Sequence, residues 1–357
     1  MKHLFVALVL LASACSSSGP GFEQRRLVLA QLVDEVVLPG LDAFVDKADA
    51  LKTAVSALCA SVSQTTLYAA QQAWLDARLA YKHTQAYGFG PADDDGISVD
   101  VDFWPARPDT VEKAIAETTS LDDAAIDKLG VSSKGLPALE VLLFGDIGGD
   151  DAAVLVAQAD SKRCGYTEAL GKALARAAGK LRSAWRDSFA DELRQAGSAT
   201  STRYSVGRRA YDDWINHLIA SVELIVSKKI GVPLGKSAGF VQAELVESPR
   251  AESSIADARG TLEGISKSYG AGAKGPDTLQ ALVAQLRPAV ASDVRTQIDG
   301  LDALLAGVTM PLGVLMVDAP AKVEPIYEAA RTLRQTFVTE VAPALDVKVT
   351  LSNNDGD

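Results

Sequence analysis

Histidine and cysteine are scarce in this chain of 357 residues, which has three of each. The sequence contains no Walker loop, no Rossmann glycine pattern, no CxxC pair and no HExxH helix. The nucleophile elbow of α/β serine hydrolases is also missing. Two histidines remain beyond the N-terminus, His83 and His217, and neither belongs to a haem-attachment signature. No motif therefore indicates nucleotide binding, thiol redox chemistry or a classical zinc protease.

Positive charge is in the minority, with 35 Lys and Arg against 46 Asp and Glu and a net charge of -11. Nucleic acids and anionic lipid surfaces select basic patches, so both are poor partners for this chain. Alternating strand patterns and Asn-Gly hairpin signals are lacking too. The sequence thus predicts an all-α protein with no nucleic-acid partner.

The N-terminus has the features of an export signal. Lys2 precedes a short apolar run over residues 4–12, and small residues lead to Cys15 in the sequence ASAC. This resembles a bacterial lipobox, so we expect a lipoprotein signal peptide over 1–14, acylation of Cys15 and a tether over 15–21. An ordinary signal peptide cut nearby is the alternative. Lipidation would anchor the protein in the cell envelope, at the outer membrane, facing the periplasm or the cell surface.

Cys59 and Cys164 are the other two cysteines. Export permits a disulfide between them, since extracytoplasmic compartments are oxidising. Two buried thiols acting as small apolar residues are the equally favoured alternative.

Apolar residues recur at helical spacing along the remainder of the chain. We expect a kink or break at Pro39-Gly40 in the first helical segment. Residues 37–42 (VLPGLD) are echoed by residues 341–346 (VAPALD), which indicates two related helical bundles. The predicted first bundle, with insertions, covers 22–235 and the second covers 236–357, with the boundary within 230–275.

Several segments carry polar residues in apolar surroundings. Trp74 and Arg78 share a helix face, and an inward Arg beside aromatic rings can bind an anion or a buried carboxylate. The acidic stretch 93–102 offers oxygen ligands for a cation, although a solvated loop is the favoured interpretation. Glu140 follows an apolar run and needs a partner if it is buried.

The order of these motifs resembles the imelysin family of bacterial periplasmic and outer-membrane lipoproteins. The resemblance spans nearly the whole chain after the signal. It rests on the following segments: Trp74 to Tyr81, Phe89-Gly90-Pro91, Asp102-Phe103-Trp104-Pro105, Arg163 to Tyr166, Trp185, residues 229–234 (KIGVPL), Glu247-Ser248-Pro249, Ser253-Ser254, Asp257, Gly264-Ile265 and Tyr269.

The family signature is GxHxxE. This motif is interpreted as a metal site, and that interpretation is the reason for the family's peptidase label. Here the matching residues are Gly135, Pro137 and Glu140, so the histidine is absent. A His and a Glu three residues apart on a helix can share a metal ion, whereas proline has no donor atom. Glu140 stays a candidate metal ligand, but family metal binding and proteolysis are both in doubt.

The resemblance implies two packed helical bundles with a cleft between them, and a link to iron or haem acquisition. Iron or another divalent metal would be the cofactor, and components of iron uptake would be the partners. We expect six residues to line the cleft: Trp74, Arg78, Trp104, Glu140, Ser248 and Asp257. A non-enzymatic binding lipoprotein is the preferred function. A metallopeptidase that recruits another ligand, such as His83 or His217, and a partner-binding surface protein with a vestigial site are the alternatives.

The lipid anchor gives the first testable prediction. Cys15→Ser removes the acylated sulfur, so the variant should leave the membrane fraction or stay unprocessed, because acyl chains provide the attachment. Fractionation of cells that express wild type and variant measures this. A processed Cys15→Ser protein that stays in the membrane fraction would contradict lipidation.

Overall fold

The computed structural model describes residues 21–350, and that part of the chain consists of helices joined by turns and loops, without a strand. The all-α prediction is therefore confirmed for these residues. The signal segment and Cys15 lie outside them. The α-helices are α1 Phe22–Gln31, α2 Leu38–Ala60, α3 Gln64–Thr84, α4 Pro91–Asp94, α5 Ile97–Val101, α6 Pro108–Glu117, α7 Asp123–Asp127, α8 Gly135–Phe144, α9 Asp151–Gln158, α10 Ser161–Ala184, α11 Ala190–Arg194, α12 Gly207–Leu224, α13 Ser254–Tyr269, α14 Leu279–Leu286, α15 Pro288–Ala306, α16 Leu312–Asp318, α17 Glu324–Thr336 and α18 Ala342–Ala344.

Four π-helical segments directly follow α-helices; three of them continue into the next α-helix without a break, and the one after α12 ends in a turn. The four segments are Leu32–Val37, Trp185–Phe189, Ile225–Gly231 and Phe337–Val341. Short 3₁₀ turns occupy Gln85–Tyr87, Val131–Ser133, Ala243–Leu245 and Pro320–Lys322.

We expected a kink or break at Pro39. The break is absent, because a π turn joins α1 to α2 and the helix continues through Pro39. The Leu38 N–H donates to the Val33 carbonyl, five residues back, and Pro39 then stands in the first turn of α2. Proline lacks a backbone N–H and is tolerated where none is needed. The echoed segment is built the same way: a π turn precedes α18, with Pro343 in its first turn. The first four residues of the matched hexapeptides thus adopt the same local structure, whereas Leu41 and Asp42 continue the helix and Leu345 and Asp346 turn out of it.

Three long helices form the framework that positions the site. Helix α2 packs against both α3 and α10, and the opposite side of α3 contacts α13. Helix α17 contacts α12 and α15. Since α3 and α12 belong to the predicted first bundle and α13 and α17 to the second, the two predicted bundles meet at both contacts, whereas the boundary itself stays a prediction.

Within residues 21–350, no helix combines the length and the apolar character needed to cross a bilayer.

Cys59 and Cys164 form a disulfide with their Cα atoms 5.5 Å apart. The bond joins the end of α2 to the start of α10. Of the two alternatives left open by the sequence, the structure has the disulfide.

Removing this disulfide should destabilise the protein. The bond closes a loop across 105 positions, and loss of such a constraint costs about 4 kcal/mol through the greater entropy of the unfolded chain. Urea unfolding of wild type and a Cys59→Ser/Cys164→Ser double variant, each with and without reductant, measures the difference. Reductant should affect only the wild type. Equal unfolding midpoints for the two proteins would refute a stabilising role.

Candidate functional site

One face of α3 carries two fully buried cations below a buried tryptophan. Trp74, Arg78 and Lys82 follow one another at four-residue spacing and are at most 1% exposed. Residues four apart share a helix face. The Trp74 indole donates to the Leu136 carbonyl at 2.9 Å, and the Arg78 guanidinium lies 5.3 Å from the centre of its ring system. The predicted inward face is therefore confirmed.

Three carboxylates surround the Arg78 guanidinium. Its Nε lies 2.8 Å from Asp257 Oδ2, and its Nη1 lies 3.0 Å from Asp102 Oδ1. The third contact, from Nη2 to Glu247 Oε1, is 3.2 Å. These acids come from α13, from the segment after α5 and from the loop before α13, so one guanidinium joins three separate segments.

Two lysines complete the charge cluster, which we define as Arg78, Lys82, Lys229, Asp102, Glu247 and Asp257. Lys82 contacts Asp102 and lies 2.6 Å from Glu247 Oε1. Lys229, from the π turn after α12, contacts the other oxygen of Glu247. Three cations thus face three carboxylates, which makes the cluster neutral when every member is charged.

Burial and charge act in opposite directions inside the cluster. Burial opposes ionisation of Glu247, but Lys229, Lys82 and Arg78 outweigh it and hold the pKa of Glu247 well below its usual range. Asp102 likewise has a lowered pKa despite its burial, chiefly because of Lys82 and Arg78. For Lys229 the effect of burial is larger than the attraction of Glu247, and the pKa of Lys229 falls to about 8.

A tightly turned loop covers the cluster. Ser248 and Glu252 adopt positive φ values of 49° and 52°, a conformation that is uncommon for residues other than glycine. The turned backbone lets the Ser248 hydroxyl donate to Asp257 Oδ2 at 2.6 Å, and Ser254 donates to the Glu247 carbonyl. The loop therefore holds acids of the cluster in place and closes it from solvent.

Glu140, on α8, is held by the same loop. Its side chain is 1% exposed, and its Oε1 accepts hydrogen bonds from the backbone N–H groups of Arg250 and Ala251 at 2.8 and 3.1 Å. Burial raises the pKa of Glu140, while Arg78 and these two amides partly counteract the rise. The partners that a buried Glu140 needs are therefore these backbone amides: the charges of Arg78 and Arg250 also favour its ionised form, but none of the described ion pairs includes Glu140.

Gly135, the first residue of the family signature, is required by close packing. It has φ of 76°, and a Cβ there would lie 2.5 Å from the Val101 carbonyl oxygen. The start of α8 therefore abuts the end of α5, directly before Asp102. This contact fixes the relative positions of Asp102 and Glu140.

The structure brings most of the predicted site residues together. Trp74, Arg78, Ser248 and Asp257 are in contact, and Glu140 lies within the electrostatic reach of Arg78. Trp104 does not join them: it is half-buried and takes part in none of the hydrogen bonds or ring contacts of the described residues.

Four members of the charge cluster were missed by the sequence-based site prediction: Lys82, Lys229, Asp102 and Glu247. Lys82 could have been found from its position four residues after Arg78. Asp102 was interpreted as part of a solvated acidic stretch, whereas its side chain is 5% exposed.

The residues present do not fit a resident metal ion. Among residues 21–350, no three His, Cys, Asp or Glu side chains lie together in a way that could hold one. Pro137 is buried one turn before Glu140 and supplies no donor atom, and the acids of the cluster are engaged by cations. Lysine and arginine beside a carboxylate compete with a metal ion for it.

Neutralising Glu247 should strongly destabilise the protein. Glu247→Gln leaves buried cations without their shared partner, and breaking such a pair costs about 3–5 kcal/mol. Glu328→Gln, at an exposed pair with Arg331, is the matched control and should change stability by less than about 1 kcal/mol. Urea unfolding at neutral pH measures both.

Acid should distinguish the two variants as well. The folded pKa of Glu247 is lowered, so the unfolded chain takes up its proton first, and wild-type stability falls as pH drops below the usual carboxyl value of 4.5. This decline should be shallower in Glu247→Gln and unchanged in Glu328→Gln. Parallel acid profiles for all three proteins would show that the cluster contributes no such linkage.

Comparison with known proteins identifies the fold. A sequence model described as imelysin, of the M75 peptidase type, matches residues 37–339. Iron-regulated protein A from Synechococcus elongatus is 26% identical over 325 residues, which is 89% of this chain and 83% of that protein.

Two solved structures have the same overall architecture. One, described as an iron-regulated protein A precursor from Parabacteroides distasonis, superposes with a TM-score of 0.79 at 22% identity, covering 92% of this chain and 97% of that one. An imelysin-like protein from Psychrobacter arcticum gives a TM-score of 0.75 at 19% identity, covering 93% and 98%. The family match extends over most of the chain, and the chain therefore belongs to the imelysin family.

Proposed function

We propose that this protein is a non-enzymatic, extracytoplasmic binding lipoprotein linked to iron or haem uptake. One observation carries the proposal: at the family's signature position, Glu140 is paired with backbone amides, and Pro137 stands where the pattern has its histidine. The fold of the family is thus retained, while the residues that its peptidase label depends on are incomplete.

The chemistry of the site argues against proteolysis. A catalytic zinc needs about three protein ligands and an open position for water. Glu140 would be the first of those ligands, and the nearest acids are each bound to Arg78, Lys82 or Lys229. Both described histidines have other partners: His217 Nε2 lies 2.9 Å from the Gln85 carbonyl oxygen, and His83 Nε2 lies 3.1 Å from Glu263 Oε2.

The location rests on two independent features. The lipobox-like segment ending at Cys15 predicts export and acylation, and the Cys59–Cys164 disulfide is the kind of bond that persists in oxidising compartments outside the cytoplasm. We propose the outer membrane, facing the periplasm or the cell surface, as the site of attachment.

The link to iron rests on the relatives. Two of them are called iron-regulated protein A, and one of these is a curated relative that matches 89% of this chain. We extend an iron-linked role to this protein, with components of the uptake machinery as its partners. Because the buried site is neutral without a metal, the role does not require a resident ion.

Purified protein lacking residues 1–15 tests the enzymatic part. We expect no casein turnover with or without added zinc, and only weak binding of zinc or ferrous iron in calorimetric titration. Pro137→His adds an imidazole one turn before Glu140 and should strengthen zinc binding by about tenfold, or ~1.4 kcal/mol. Pro137→Ala, which removes the ring without adding a donor, should leave binding unchanged.

Two results would overturn this view. Zinc-dependent casein turnover would restore the peptidase function, and tight metal binding by wild type that Glu140→Ala abolishes would restore the metal site. The iron link is tested separately in the host: cells that lack the gene should accumulate less iron when iron is limiting. Unchanged accumulation would instead favour a partner-binding role with a vestigial site.

A further inference from the structure

A second site lies beside the charge cluster, at the C-terminal end of α3. Here a pocket of about 200 Å³ opens between α2, α10, α12 and the turn that follows α3. Its apolar and aromatic walls are formed by Leu41, Tyr81, Tyr87, Leu181, Trp185 and Leu224. None of the six residues expected to line the family cleft belongs to it.

His217 presents a fixed hydrogen-bond acceptor to this pocket. Its Nε2 lies 2.9 Å from the Gln85 carbonyl oxygen, and a carbonyl can only accept, so Nε2 carries the proton. Burial lowers the pKa of His217 and so favours the neutral ring, against the opposing effect of the Asp93 charge. Nδ1 is then an open lone pair, and no hydrogen bond to it occurs among the described residues.

Ser221, one turn further along α12, offers the pocket a second hydrogen-bond acceptor. Its hydroxyl lies 2.8 Å from the same Gln85 carbonyl and 2.9 Å from the His217 carbonyl, and donating to either one uses its only proton. The Ser221 oxygen can therefore only accept from a ligand. Both polar groups of α12 in the pocket are acceptors, so a matching ligand must bring hydrogen-bond donors.

Asp93 adds an uncompensated negative charge. Its neighbours in the acidic stretch are paired, Asp94 with Arg203 and Asp95 with Lys180 at 3.9 Å, but none of the described ion pairs includes Asp93. Asp93 accepts only a weak bond from the Ser98 hydroxyl, at 3.2 Å. Lysine and arginine are missing from the pocket lining, and Lys82, whose Nζ lies 5.8 Å from the centre of the Tyr81 ring, is already paired with Asp102 and Glu247.

We propose that this pocket binds a small organic ammonium ion. Its N–H groups would donate to His217 Nδ1 and to the Asp93 carboxylate, and its apolar part would lie against the tyrosine and tryptophan rings. Aromatic faces attract cations, and this attraction grows where water is displaced. An anion would find no positive partner in the pocket, and a metal ion would find only one imidazole and one carboxylate.

Calorimetric titration with benzylammonium tests the proposal, with benzyl alcohol as a neutral probe of similar shape. We expect saturable binding of benzylammonium at one site per chain, and binding of the alcohol at least tenfold weaker. Equal affinities would overturn the proposal in favour of a plain apolar pocket, as would the lack of saturable benzylammonium binding.

The acidic stretch offers a matched pair of variants. Asp93→Asn removes the charge in the pocket and should weaken benzylammonium binding at least tenfold. Asp94→Asn removes an equal charge one residue away, but Asp94 is paired with Arg203 and lies outside the lining, so binding should be retained. Both positions are exposed, and thermal unfolding can verify that both variants fold. Equal losses in the two variants would refute a specific role for Asp93.

A second readout locates the ligand. With ¹⁵N-labelled histidine, binding should shift the Nδ1 resonance of His217 towards that of a hydrogen-bonded acceptor and leave His83 unchanged. An unperturbed His217 resonance at saturation would place the probe elsewhere and overturn the assignment.

Discussion

The arrangement of this protein's interior depends on the ion pairs of the buried Arg78 guanidinium. It contacts Asp102 from the segment after α5, and Glu247 and Asp257 from the loop before α13 and from α13 itself. A charge removed from water is costly unless it is paired and hydrogen-bonded, so these segments must come together completely or not at all. The meeting of α3 and α13 is therefore specified by charge as well as by apolar packing.

The loop before α13 couples this cluster to the family's signature helix. Glu247 reaches the cluster from one end of the loop, and the amides of Arg250 and Ala251 reach Glu140 from its middle. Lifting the loop would expose Glu247 and Glu140 to solvent together. Any ligand that enters here must replace both sets of contacts, which is a larger demand than filling an open cleft.

Sequence patterns predicted the helices and part of the site, for physical reasons that differ between residues. Trp74 and Arg78 could be assigned because both depend on one helix period. The partnership of Lys229 with Glu247 could not, because it depends on how the intervening loop turns, and that turn includes positive φ at Ser248. The break expected at Pro39 was wrong because local patterns give no indication of a π turn, which accommodates the missing N–H.

The charge cluster and the second pocket lie side by side at the end of α3, yet they place opposite demands on a ligand. The Gln85 carbonyl fixes His217, and the side-chain oxygen of Gln85 lies 2.8 Å from the Thr261 hydroxyl, whose alternative acceptor is the Asp257 carbonyl at 3.1 Å. The cluster is neutral and closed, so binding there must first disrupt ion pairs. The pocket has an unpaired carboxylate and an open imidazole nitrogen, so binding there satisfies groups that the folded chain leaves unsatisfied. A ligand of the pocket would stabilise the native state in proportion to its concentration without opening the cluster.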